Sequence, residues 1–302
     1  MQILENPLVT ILVITYNSSK YVLETLESTK AQTYQNIELI VSDDFSTDNT
    51  VKICQAWIES NKKRFVRTEL ITVEKNTGIA PNCNRGVKVA QGDWLKLIAG
   101  DDILLQNCVK ENINYILTNN EISVLFSKLQ PFKTKEYEKI LQQENSTYYS
   151  CFNLSTALQY KSLLKINFIY SPTLFAKTSL LKENLFDENY PYLEDYPEWL
   201  KLSKKGIKFY FLNSYTVLYR IGDSTLRPSE TFYNIHYMEC LRSLYYNEIK
   251  LKLTELDVKS TKSWEISFLE YDFCRLVLNN HKTFFSEIIY KFIHRILIKY
   301  IN

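Results

Sequence analysis

The sequence predicts an α/β fold: a mostly parallel sheet covered by helices on both faces, followed by a C-terminal helical extension. Three observations carry this. Short β-branched runs alternate with amphipathic segments from residue 8 onward, the runs are continuously apolar, and each ends in a polar cluster. Unbroken apolar strands separated by helices are what a sheet buried on both faces requires, because the crossover helices cover it.

The elements follow in order. LVTILVIT leads to SKYVLETLESTKAQ, IELIVS to TDNTVKICQAWIES, ELITVE to APNCNRGVKVAQ, and WLKLIA to ILLQNCVKENINYILT, making four βα units. Ser18 or Ser19 is the expected cap of the first helix, and Thr47 or Asp48 of the second. Beyond residue 120, EISVLFSKLQPF reads as a strand, residues 133–150 as a polar, mobile loop, and NLSTALQYKSLLK as a helix. YSPTLFAKTSLL begins a strand and turn. LEDYPEWLKLSKKG reads as a short helix stopped by Gly206, with Lys204 and Lys205 favourably placed in its last turn. IKFYFL and TVLYRI read as two strands, and the chain after Pro228 as three helices.

Composition narrows the function. With 45% apolar and 23% charged residues in 302, the chain has the balance of a soluble globular protein. A formal charge of +2 and the absence of a single-sign block give nucleic acid no footing as a partner. Cys54, Cys83, Cys108, Cys151, Cys240 and Cys274 are widely spaced with no CxxC, so they read as reduced thiols in a cytoplasmic protein. MQILENPLVTILVITYN has no basic leader and breaks at Tyr16 and Asn17, too early for a signal peptide or a membrane span. GxGxxG and GxxxxGK[ST] are both absent, which removes two common phosphate-binding devices.

In open α/β sheets ligands gather outside the carboxyl ends of the strands. Here those ends read Thr15–Tyr16–Asn17, SDDFSTD with Asp43 and Asp44, KNTG with Asn76 and Gly78, and Gly100–Asp101–Asp102. Adjacent carboxylates repel unless something positive lies among them, and oxygen-only donors suit Mg²⁺ or Mn²⁺ shared with phosphates. The alternative is capping, since acids are welcome at a helix N-terminus. Glu194 and Asp195 carry the same two readings, as a catalytic pair or as the acidic first turn of a helix. Trp199, one helical turn after Asp195, is expected to be a buried aromatic.

VTILVITYN, IVSDDFSTDNT, NTGIAPNCNRGVKVAQGDWLKLIAGDD and LEDYPEWLKLSKKG, in this order, resemble the family 2 glycosyltransferases. The resemblance covers roughly residues 7–225 and implies a GT-A fold, with a Rossmann-like, mostly parallel sheet. It implies a GT-A domain over 1–225, with a nucleotide-binding half (1–119) and an acceptor-binding half (120–225), and a helical region over 226–302. It further implies an inverting bacterial enzyme of surface polysaccharide synthesis, moving a sugar from a UDP-linked donor to a glycan or lipid-linked acceptor. Thr15, Tyr16, Asn17, Asp44, Asn76, Gly78, Arg85 and Asp101 would bind the nucleotide, and Asp101 and Asp102 a divalent cation, Mn²⁺ or Mg²⁺. Arg220 would face the diphosphate, and Asp195, beside Glu194, would be the general base. Ala99 stands where the commoner DxDD form of the motif has its first aspartate; some relatives carry AxDD. A histidine often found after the YR segment is also absent from YRIGDSTLR, leaving Asp223 as a substitute ligand or that corner metal-free.

The last segment, residues 283–302, places Phe284, Phe285, Ile288, Ile289, Phe292, Ile293, Ile296 and Leu297 on one stripe, with Lys291, His294, Arg295 and Lys299 opposite. Packing on the protein's own body is the expected use. A peripheral membrane contact at the inner face of the cell membrane and a homodimer interface are the alternatives. Two other functions compete with sugar transfer: a nucleotidyltransferase of similar fold, and a degenerate protein that binds nucleotide sugar without turnover.

Overall fold

The computed structural model describes residues 6–133, 138–139, 149–221 and 230–299. It divides into two compact units, Met1–Tyr160 with Phe168–Arg220, and Lys161–Asn167 with Ile221–Asn302.

The first unit is built on one sheet. Its strands are β1 (Val9–Thr15), β2 (Ile37–Asp43), β3 (Arg67–Ile71), β4 (Trp94–Ala99), β5 (Ile103–Leu104), β6 (Val124–Lys133), β7 (Glu138–Lys139), β8 (Phe175–Lys177) and β9 (Phe209–Arg220). They lie in the order β3-β2-β1-β4-β8-β6-β9-β5, with β7 paired to β6. The four strands β3-β2-β1-β4 are mutually parallel, while β8 runs antiparallel to both β4 and β6. Every residue of β2 is buried and nearly every one of β1 and β4, as strands covered on both faces must be. Helices α1 (Val22–Lys30), α2 (Thr50–Asn61), α3 (Ile79–Val89) and α4 (Cys108–Ile116) supply much of that cover. Val9, Ile11, Val13, Leu39, Val41, Trp94 and Ile98 form the centre of the core, with Leu26, Trp57, Val109 and Ile113 from the helices.

The strand order positions the site. From β1 the chain moves outward to β2 and β3, then returns to the other side of β1 to lay down β4. That reversal opens a crevice at the carboxyl ends of β1 and β4. The register keeps those ends level, with Thr15 beside Asp43 and Ile14 beside Ala99.

Several expectations change. The two strands expected from IKFYFL and TVLYRI are one, β9, whose register against β6 slips around Lys128 and absorbs the polar Asn213 and Ser214. Ser18 and Ser19 do not cap α1 through their side chains: their backbone N–H groups donate to Thr50 Oγ1 (2.7 Å) and Asp48 Oδ2 (3.1 Å). Asp48 also accepts from Thr50 N at 2.9 Å, so one aspartate joins the two turns. Most of the loop expected over residues 133–150 lies outside the described residues, as does Asp223.

In the second unit, helices Ile235–Leu244 and Lys250–Leu256 are joined through a π-helical turn at Tyr245–Ile249, and Val258–Leu276 and Phe284–Lys299 follow. Asn234 caps the first through Tyr237 N (3.0 Å), and Asp257 caps Val258–Leu276 through Ser260 N (3.1 Å). Tyr245, Leu253, Phe268, Tyr271 and Cys274 are buried here. All six cysteines of the chain are free thiols.

Candidate active site

The β1 and β2 ends are locked together. Asp43 accepts from Thr15 Oγ1 (2.8 Å), Ser46 N (2.8 Å) and Ser46 Oγ (2.5 Å), and Asn17 Oδ1 accepts from Thr47 N (2.9 Å). Asn17 and Phe45 both adopt positive φ, 50° and 69°, so the two turns are sharply bent. The bends leave Tyr16 39% and Phe45 43% exposed, one aromatic beyond each strand end.

Asp44 is buried and heavily used. It accepts from Thr77 N (2.9 Å), Thr77 Oγ1 (2.7 Å), Gly78 N (2.7 Å) and Arg85 Nη2 (2.6 Å), while Asn76 Nδ2 reaches its carbonyl at 3.3 Å. Its carboxylate is thus the post around which the NTG loop and α3 are built. Beside that loop opens a pocket of about 560 Å³ lined by Lys75, Asn76, Thr77, Arg85, Lys88 and Glu188, a wall rich in cations.

Gly78 brings the segment that precedes the acidic pair Glu194–Asp195 against the NTG loop. At φ +98°, a side chain here would meet Pro191 Cβ at 2.6 Å and Pro191 O at 2.7 Å, and Ile79 N donates to that carbonyl. Pro191 is therefore pinned against the start of α3, three residues before Glu194. Asp195 opens the helix Asp195–Lys204, which Trp199 anchors: fully buried, it packs edge-on against Phe126 (5.0 Å) and Phe209 (6.2 Å). Burial, and then the charge of Asp195, pushes Glu194 up to about 8, so at neutral pH it holds a proton and accepts from Ser171 Oγ at 3.3 Å. Cys83 of α3 lies within electrostatic reach of Glu194, Asp195 and Arg85.

Gly100 brings the GDD turn to β1, since a Cβ there would lie 2.7 Å from Thr15 Cγ2. Its two aspartates differ. Asp102 is 1% exposed, accepts from Arg220 N at 2.9 Å and gives its carbonyl to Thr25 Oγ1. Asp101 is the more open of the two, and its carboxylate has no hydrogen-bond donor from another described residue. Burial raises both, Asp102 well above the carboxylate range with the Asp101 charge adding to it. Arg220, at the end of β9, backs the turn. Its guanidinium donates to the Asp101 carbonyl (2.7 Å) and Glu24 (2.9 Å), and is clamped between the rings of Tyr21 and Phe132.

A buried and a half-buried acid, backed by the Arg220 guanidinium with Lys96 acting on Asp102 from behind, are an oxygen-only donor set, which fits Mg²⁺ or Mn²⁺. Among the described residues no group of three or more ligating side chains gathers, so a cation held by Asp101 and Asp102 would complete its shell with phosphate and water oxygens.

Hydrogen bonds and close packing thus join Thr15, Asn17, Asp44, Asn76, Gly78, Arg85 and Gly100, and Pro191 ties the segment before the acidic pair to Gly78. Sequence reasoning missed three residues around them. Phe45 was hidden in what read as a capping turn, although an aromatic there is an unusual choice. Ser171 and the fully buried Lys96 gave no signal. Lys96 donates to the carbonyls of Pro172 and Leu174 (3.3 Å), holding the segment that carries Ser171, and burial lowers it to about 8.

A mixed sheet with acids gathered at the carboxyl ends of its parallel strands is the GT-A architecture. The chain belongs to glycosyl transferase family 2, whose description, "Glycosyl transferase family 2", matches residues 10–183. It is 27% identical over 240 residues to UDP-Glc:alpha-D-GlcNAc-diphosphoundecaprenol beta-1,3-glucosyltransferase WfaP of Escherichia coli, covering 78% of this chain and 86% of that protein. Its fold is similar to S. aureus TarS 1-349 in complex with UDP-GlcNAc (TM-score 0.59, 20% identity, 87% of this chain and 81% of that one). It is also similar to mannosyltransferase PcManGT from Pyrobaculum calidifontis in complex with GDP-Man and Mn²⁺ (TM-score 0.55, 17% identity, 73% and 59%).

Proposed function

We propose that this protein is an inverting, cation-assisted glycosyltransferase that moves a sugar from a UDP-linked donor to a hydroxyl of a glycan or lipid-linked acceptor in surface polysaccharide synthesis. The observation that carries it is the docking of Pro191 on Gly78 and Ile79, which sets the Glu194–Asp195 pair beside the loop organised by Asp44. The similarity to WfaP, named for a UDP-glucose donor and a diphosphoundecaprenol-linked acceptor, supports the donor and acceptor classes.

The nucleotide base lies against Tyr16 and Phe45, with Thr15, Asn17, Asn76, Gly78 and Arg85 forming the wall. Asp44 acts first by holding that wall in place, and reads the base edge as far as its occupied lone pairs allow. Protonated Glu194 leaves the pair's charge to Asp195, which takes the proton of the acceptor hydroxyl. The oxygen attacks the anomeric carbon from the face opposite the diphosphate, the bond from that carbon to the phosphate oxygen breaks, and the configuration inverts. Asp101, with Asp102, would hold Mn²⁺ or Mg²⁺, which when bound neutralises charge on the departing diphosphate. Arg220 adds positive charge behind the same turn.

Turnover of UDP-sugars by wild type and by Asp195→Asn tests the reading. The variant should keep UDP binding and lose roughly a hundredfold or more in rate, the scale of a general base. UDP binding with no turnover in the wild type would instead favour the degenerate binding protein that Ala99 suggests.

A further inference from the structure

The helix Phe284–Lys299 has two faces, and the more apolar one is exposed. On the inner face Ser286 is 8% exposed, the Tyr290 ring lies 5.0 Å from Phe232, and His294 Nδ1 is 2.6 Å from Glu270 Oε1. On the outer face Phe284 is 76% exposed, Phe285 75%, Phe292 63%, Ile288 51%, Ile289 44% and Ile296 38%. At about 100° of rotation per residue these six fall within an arc of about 140°. Arg295 and Lys299, expected opposite the apolar stripe, are exposed and lie inside that arc, with exposed Lys291 beside it; Glu287, the helix's acidic residue, lies outside.

We propose that this face is a docking surface for an anionic lipid bilayer. The helix lies in the plane of the interface, its phenylalanines and isoleucines among the acyl chains, while Arg295 and Lys299 extend their apolar stems along that face to carry their charges up to the lipid phosphates, with Lys291 at its edge. Charge selects this occupant. The outer arc has cations and no acid, which complements a phosphate surface, whereas a second copy would bring the same acid-free arc and no carboxylate to pair with those cations. Among the described residues no helix is long and apolar enough to cross a membrane, so the contact is peripheral. This inference is independent of the sugar-transfer reading.

The test is cosedimentation of the full chain with vesicles of phosphatidylcholine and phosphatidylglycerol, and with phosphatidylcholine alone. The variants are F285S/F292S and K291E/R295E, with melting temperature as the folding control. Wild type should bind the anionic vesicles, more weakly as salt rises. F285S/F292S should not bind, and K291E/R295E should bind roughly tenfold or more weakly. Because the substituted side chains are exposed, both variants should melt with wild type; if F285S/F292S does not, K291E/R295E decides. Failure of wild type to bind the anionic vesicles, or equal binding by K291E/R295E, would overturn the proposal. So would a dimer that F285S/F292S disperses without any vesicle binding, since the face would then belong to a second copy.

Discussion

Two pairs of adjacent aspartates close two strands of one sheet, and the protein treats them in opposite ways. Asp43 and Asp44, beyond β2, are surrounded by donors: three hydrogen bonds reach the first carboxylate and four the second. At Asp101 and Asp102, beyond β4, the Arg220 N–H of β9 reaches the Asp102 carboxylate, and the Arg220 guanidinium donates to the Asp101 main-chain carbonyl. A buried acid with a full set of donors is a structural post, because its charge is already compensated. A buried acid without them is a standing cost that a cation or phosphate-bound metal can relieve. The difference teaches that donor supply, more than residue type, separates scaffold from ligand site.

The largest effect should come from breaking the saturated pair. Asp44→Ala strands two backbone N–H groups and the Arg85 guanidinium, and should cost about 3 kcal/mol or more of stability, read by denaturant unfolding. A loss below about 1 kcal/mol would mean that the NTG loop is held by something else. At the second pair Asp102→Ala should cost about 1–2 kcal/mol through the orphaned Arg220 N–H. Asp102→Asn, which keeps an acceptor and removes an under-compensated charge, should melt at or above wild type.

The acidic pair at Glu194 sharpens the comparison through pH. Its folded value, about 8, stands above the ordinary 4.5, so between those limits the folded state binds more protons than the unfolded one. Stability therefore falls as pH rises through that window. Glu194→Gln should remove this slope, with the melting curves of variant and wild type diverging in the variant's favour toward pH 8; parallel curves would assign Glu194 no such burden.

The sequence carried the alternation of β1–β4 with their helices because those strands are buried on both faces and read as unbroken apolar runs. It carried β8 as the strand begun by YSPTLFAKTSLL, but could not carry β5 and β7, which span two residues each and leave no periodicity. Continuous β9 was unreadable because Asn213 and Ser214 look like a turn, and only pairing with β6 keeps the strand going. The site motifs were legible as residue types at strand ends. Their division of labour was not. Nothing in IVSDD and AGDD indicates that the first pair meets a loop thirty residues on while the second meets Arg220, well over a hundred residues away. The same holds for Lys96, whose partners Pro172 and Leu174 arrive from a distant segment.

Calorimetric titration of UDP in the presence and absence of Mn²⁺, on wild type and Asp101→Asn, tests the difference between the two pairs most directly. A ligand-reserved Asp101 predicts that Mn²⁺ tightens UDP binding in the wild type, and that Asp101→Asn abolishes this gain without lowering the melting temperature. Titration curves for Asp101→Asn that overlay those of the wild type at every Mn²⁺ concentration would contradict it.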